Sequence, residues 1–194
     1  DKTLRVWDPL AGGEALCVLE GHTQVVRGVT AVVTGDGEPR VVSCSHDKTL
    51  RVWNPLAGGD ALHVLEGHSG FVKGVTSFVA DGERRVVSCS NDGTVRVWNP
   101  LVGGDAPHVL KGHSGWVLGV MAFVTAEGEP RVVSGSDDAT VRVWNPIACT
   151  QVFIILLEVS CTALCLVRGA TFARILALGH RDGSLSYWDY EPGS

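Results

Sequence analysis

Residues Asp47–His68 read DKTLRVWNPLAGGDALHVLEGH, and the rest of the chain repeats this stretch. It stands almost verbatim one unit earlier, at Asp1–His22 (DKTLRVWDPLAGGEALCVLEGH), and again at Asp92–His113 (DGTVRVWNPLVGGDAPHVLKGH). A fourth copy opens as DATVRVWNP at Asp138 before diverging, and a fifth opens as DGSLSYWD at Asp182. Trp7, Trp53, Trp98, Trp144 and Trp188 therefore stand 46, 45, 46 and 44 residues apart. Self-similarity at one period of this size marks a repeat architecture, in which each unit buries its apolar face against the next.

Within a unit the Asp-to-Trp step is six residues in all five copies, and the step from Trp to the His of Gly-His is fifteen wherever that His exists. Only the His-to-Asp distance varies, at 25, 24 and 25 residues, and the visible seat of the change is TGDGEPR against ADGERR. Asp, Gly and Pro between apolar runs are hairpin chemistry, where an extra residue is tolerated. In the first cycle Thr3–Trp7, Ala15–Leu19, Val25–Val33 and Arg40–Ser45 read as four strands, each β-branched and bounded by turn residues. VVRGVTAVV, FVKGVTSFV and WVLGVMAFV are apolar on both faces, which suits strands packed on two sides. The pattern predicts no helix and no linker.

Gly21-His22, Gly67-His68 and Gly112-His113, followed by SCSHDKTLRVWN, SCSNDGTVRVWN and SGSDDATVRVWN, make the chain resemble the WD-repeat β-propeller family over essentially its whole length. Trp7-Asp8 and Trp188-Asp189 are literal Trp-Asp pairs, and the three middle repeats carry Asn in place of the Asp, a common departure. The resemblance implies an all-β propeller of four-stranded antiparallel blades. One domain, 1–194, is expected, with repeat units 1–46, 47–91, 92–137, 138–181 and a partial 182–194. Two strands precede the first Gly-His, twelve follow in three full sets, and the last unit adds three: seventeen, or about four blades. Four lies at the lower edge of the range of about four to eight, and the resemblance implies about seven. A part of a longer propeller is the expected account. Two alternatives stand beside it: a ring of four closed by overlap of the chain ends, with Ala15–Leu19 as the missing last strand, and a homodimer sharing a larger ring.

Composition narrows the function. A net charge of −5 and a pI near 5.8 argue against nucleic acid, whose binding rests on clustered Lys and Arg. The longest apolar run, Val152–Leu157, is far short of the ~20 residues that span a bilayer, so no membrane segment is predicted. No secretory leader is visible, and a start at Asp1 without methionine points to a piece of a longer chain. Of six cysteines, Cys44 and Cys89 are equivalent strand positions, with Gly135 as the third. Cys161 and Cys165 on one strand would lie about 13 Å apart, beyond the ~4.4–6.8 Å Cα span of a disulfide. Cys149 is near them, but no His or carboxylate cluster completes a zinc pattern, and no metal or cofactor is expected. Reduced, buried thiols point to an intracellular, cytoplasmic protein.

One residue set resembles chemistry. His68, Asp92, Trp98 and a serine of Ser88 and Ser90 would meet within one blade, and Ser, His and Asp can build a nucleophile. The same set recurs as His22, Asp47, Trp53 with Ser43 and Ser45, and as His113, Asp138, Trp144 with Ser134 and Ser136. An active site needs one pocket and one oxyanion hole, not three equivalent copies. The resemblance implies a hydrogen-bonded structural brace instead, and no catalytic residue. In the fourth unit the Gly-His place reads Glu158-Val159, which leaves Asp182 and Trp188 of the last set without a histidine. That blade is expected to be the least braced. His63 and His108 are repeat-equivalent, with Cys17 in the third place, which argues against a ring of metal ligands.

In this family the face carrying the Gly-His loops and the turns before the Asp commonly docks protein segments. The near-identical repeats differ there at Val25, Phe71 and Trp116, at Arg27, Lys73 and Leu118, and at His46, Asn91, Asp137 and Arg181. Aromatics and Arg are the residue types that anchor protein contacts, and Trp116 alone among the six tryptophans stands off the ruler. The implied function is a non-catalytic interaction scaffold docking a peptide or protein partner at these residues. The alternative is an accessory propeller segment of a larger enzyme or signalling ATPase whose catalytic domain lies outside these residues.

Overall fold

The computed structural model describes residues 1–168 and 174–190. They form eighteen strands and no helix. The first sheet is the hairpin β1 (Leu4–Val6) and β2 (Cys17–Leu19). The second runs β3 (Val26–Val33), β4 (Pro39–Ser45), β5 (Leu50–Trp53) and β6 (His63–Glu66). The third contains β7 (Val72–Ala80), β8 (Glu83–Ser90), β9 (Val95–Trp98) and, after the two-residue β10 (Gly104–Asp105), β11 (His108–Leu110). The fourth is β12 (Val117–Val124), β13 (Pro130–Ser136), β14 (Thr140–Asn145) and β15 (Thr150–Leu156), and the fifth is β16 (Cys161–Arg168), β17 (Arg174–His180) and β18 (Leu185–Tyr190). All neighbours are antiparallel except β10, which lies parallel along β6 of the preceding sheet.

Four apolar interfaces join the five sheets in order. Leu4 and Leu19 meet Trp53; Val42, Leu50 and Val52 meet Val86 and Trp98. Val87, Val95 and Val97 meet Val132 and Trp144, and Val133 and Val141 meet Cys161 and Leu178. Trp53, Trp98 and Trp144 thus fill the interface with the sheet before them. Because both faces of a middle strand are covered, β4, β8 and β13 end in unbroken runs of buried residues rather than an alternation. Trp53, Trp98 and Trp144 are at most 1% exposed, whereas Trp7, at the free end of the stack, is 50% exposed.

The stack is an open arc. The alternative of closure by Ala15–Leu19 does not form: β2 pairs with β1 alone, and the fifth sheet holds three strands among the described residues. The hairpin spends its apolar face on the second sheet, so it sits at the opposite end of the stack from β18. The cysteines also depart from expectation. All six are free, but only Cys44, Cys89 and Cys161 are buried, while Cys149 and Cys165 are exposed.

Candidate functional site

Ser43, Ser88 and Ser134 sit at the centres of β4, β8 and β13 with no exposed surface. The indole N–H of Trp53 donates to Ser43 Oγ at 2.8 Å, that of Trp98 to Ser88 at 2.9 Å, and that of Trp144 to Ser134 at 2.8 Å. His22, His68 and His113 place Nε2 at 2.7, 2.7 and 2.8 Å from the same three hydroxyls. Their Nδ1 atoms lie 2.7, 2.7 and 2.9 Å from Oδ2 of Asp47, Asp92 and Asp138. A carboxylate can only accept here, so a neutral imidazole carries its proton on Nδ1 and takes the serine proton on Nε2. Each aspartate also accepts the backbone N–H after its histidine and the N–H and hydroxyl of the Thr two residues on, as Asp92 does from Ser69 and Thr94.

Electrostatics agree with this proton arrangement. Burial pushes the pKa of all three histidines below the ordinary value, against the opposing pull of the aspartates. Burial alone would raise the aspartates, but hydrogen bonds from Thr and His outweigh it and hold Asp47 and Asp92 low and Asp138 at about 2. A serine aimed at a histidine–aspartate pair is hydrolase geometry. These three hydroxyls are nevertheless sealed beneath a tryptophan and cannot reach a substrate.

The second serines play another part. Ser45 Oγ donates to the Gln24 carbonyl at 3.2 Å and Ser136 Oγ to that of Trp116 at 2.9 Å, while Ser45, Ser90 and Ser136 accept the N–H of Asp47, Asp92 and Asp138. In the fifth sheet Asp182 Oδ1 holds only Ser184 N and Oγ, and Leu178 stands where the hub serine would be. The side chain of Trp188 lies outside the described residues. The glycine of each Gly-His lies close to a guanidinium: a Cβ on Gly21, Gly67 or Gly112 would meet Nη1 of Arg51, Arg96 or Arg142 at 2.8, 2.6 or 2.5 Å, a contact that the flexible arginine can relieve. Gly67 also holds φ at +137°, a region that side chains rarely adopt.

The variable residues gather at the mouth. Backbone N–H groups of His46, Asn91, Asp137 and Arg181 donate to the carbonyls of Val25, Phe71, Trp116 and Ser160, so each turn lies beside the opening of its own inner strand. The register of β3, β7, β12 and β16 slips between Val26 and Gly28, Val72 and Gly74, Val117 and Gly119, and Cys161 and Ala163. Arg27, Lys73 and Leu118 are therefore bulge residues, and a bulge re-aims a side chain. The glycine after each was the signal for this in the sequence, and pattern reading alone missed it.

Two groups result. His46 stacks on Phe71 across the second and third sheets, with ring centroids 4.5 Å apart at 11°. Burial and then the charges of Lys73 and Arg27 depress the pKa of His46. Asn91, Trp116 and Asp137, with Asp92 and Ser114, line a concave space of about 300 Å³ between the third and fourth sheets. Arg181 reaches back from the fifth sheet to Asp137 at 3.3 Å. Val25, Phe71 and Trp116 are 39%, 44% and 54% exposed, whereas Leu118 is half-buried. Among the described residues no three His, Cys, Asp or Glu side chains group as metal ligands, and no helix is long and apolar enough to cross a membrane.

The sequence model of the WD domain, G-beta repeat (WD40) matches residues 13–54, 59–99 and 104–145. Among curated proteins, none matches this chain. Among solved structures, the crystal structure of the WD40 beta propeller domain of Doa1 superposes with a TM-score of 0.74 at 23% identity. That likeness covers 99% of this chain and 58% of the other, so the chain spans little more than half the length of the propeller it resembles.

Proposed function

The chain belongs to the WD domain, G-beta repeat family, and on that premise we propose that it is a non-catalytic scaffold whose mouth docks a peptide or protein partner. WD40 propeller domains generally act as protein-interaction scaffolds. The observation that carries this reading is the exposure of Phe71 and Trp116 at one rim, where otherwise near-identical repeats differ. Large aromatics are the usual anchors of such contacts.

The test is binding of peptides selected from a random displayed library. Trp116→Ala and Phe71→Ala should each weaken the selected peptides by roughly tenfold or more, the range of anchor truncations, while melting within about 2 °C of the parent. Peptides indifferent to both changes would remove the mouth as the docking face.

The same exposure argument extends to the ends of the arc. Trp7, Leu16 and Val18 at one end and Leu185 and Tyr187 at the other are exposed. Further blades of a longer propeller would cover them, or a second copy of this chain in a homodimer sharing one larger ring.

A further inference from the structure

At the mouth between the third and fourth sheets, we infer a subsite for a basic side chain, an arginine or lysine of the docked partner. The inference rests on the mouth being the docking face and names the chemistry of one position in it. The space of about 300 Å³ is lined by Trp116, which is 54% exposed, by Asp137 and by Asn91. Asn91 Oδ1 is buried beside it with no hydrogen-bond partner, an unpaired acceptor at the edge of the space. Asp92, held ionised by its hydrogen bonds, adds a second negative charge to the lining. Tryptophan is the best aromatic platform for a cation, and a carboxylate beside it supplies the charge-assisted hydrogen bond.

Two further observations select a cation over other ligands. Arg181 already brings a guanidinium to Asp137 at 3.3 Å, yet its side chain is 73% exposed. An ion pair so exposed is worth little and is readily displaced. The preceding interface presents the opposite chemistry from equivalent positions: Lys73 stands for Leu118, His46 for Asn91 and Phe71 for Trp116, with Arg27 beside them. By the same equivalence Lys73 stands beside the Trp116 space as Arg27 does beside Phe71. The preceding interface thus has two cations with Asn91 where this one has a single cation with Asp137, and a basic residue is favoured at the Trp116 space.

The experiment measures peptides selected from the random library against the full chain and three variants. The selected peptides should share a basic residue. Replacing it by glutamine, or changing Asp137→Asn in the protein, should weaken binding about tenfold or more, as expected for a charge-assisted hydrogen bond. Made together, the two changes should cost little beyond either alone, because they remove one interaction. Arg181→Ala should tighten binding by removing the competing cation, with the 3.0 Å bond from Ser160 Oγ to Asp137 left in place, an effect that a merely structural Asp137 would not produce. Peptides that need Trp116 but tolerate glutamine at every basic position would overturn this inference and leave the docking face standing. Peptides indifferent to Trp116 and Phe71 would overturn both.

Discussion

Ser88 Oγ receives the Trp98 indole N–H at 2.9 Å and gives its own proton to His68 at 2.7 Å, and the residue has no exposed surface at which a substrate could meet it. The same closed chain of donors recurs at Ser43 and Ser134, and all three hydroxyls lie buried beneath a tryptophan. A buried set of this kind is a stability device whose loss leaves polar atoms without partners. Its pH dependence has a definite sign. The histidines are depressed in the folded protein, so the unfolded chain binds protons first as pH falls. Stability is then fully present above about pH 6.5 and falls below it, and depression of the aspartates adds a second loss below about pH 3.8. Thermal melts from pH 8 to pH 5 should show a decline starting near pH 6.5. In His68→Gln the melting temperature should be several degrees lower at pH 8, and the decline shallower. A parent whose melting is flat over this range would contradict the assignment of neutral histidines.

Among the elements, β10 and the fifth sheet depart from the repeat for local reasons. In the first two copies the N–H of Leu16 and Leu62 donates to Val6 and Val52 across the outer turn, at 2.8 and 2.7 Å. The third copy carries Pro107 at that place, which has no N–H to give, and its turn lies along β6 of the preceding sheet as β10. The fifth sheet has Leu178 for the hub serine and no histidine on Asp182 among the described residues. A sheet without those cross-links opens locally at lower free energy. Amides of β16–β18 should therefore exchange with solvent at least about tenfold faster than those of β8 and β9, a gap of roughly 1.4 kcal/mol. Hydrogen exchange read residue by residue decides it, and equal protection would mean that packing on the fourth sheet compensates for the missing brace.

At the scale of the whole molecule, the two ends of the arc carry the consequence. Trp53, Trp98 and Trp144 are buried by the sheet before them, and Trp7 is the same residue in the same motif with half its surface in water. Unpaired strands and exposed apolar faces invite association. Light scattering behind a sizing column should give a mass above the 20.6 kDa of one chain, near twice that value if two arcs share a ring. Trp7→Lys should shift the population toward the single-chain mass. A parent that runs as a single chain would mean that the ends are tolerated without a second copy.

The chain's local pattern was sufficient for the architecture. Repeated Asp-to-Trp and Trp-to-His offsets place strands and turns in register with themselves, and with no helical pattern in the chain, β-branched runs apolar on both faces are left to be covered by neighbouring sheets. The open end and the mouth belong to another order of information. Whether Trp7 is buried depends on which sheet stands in front of it, and pattern reading that allowed Ala15–Leu19 to close a ring could not see that Leu4 and Leu19 are committed to Trp53. Likewise, Asn91, Trp116, Asp137 and Arg181 are spread over 91 residues of chain, and only the stacking of three sheets brings them to one rim. Local propensity acts within one repeat, while contact between repeats is set by which faces are left to bury.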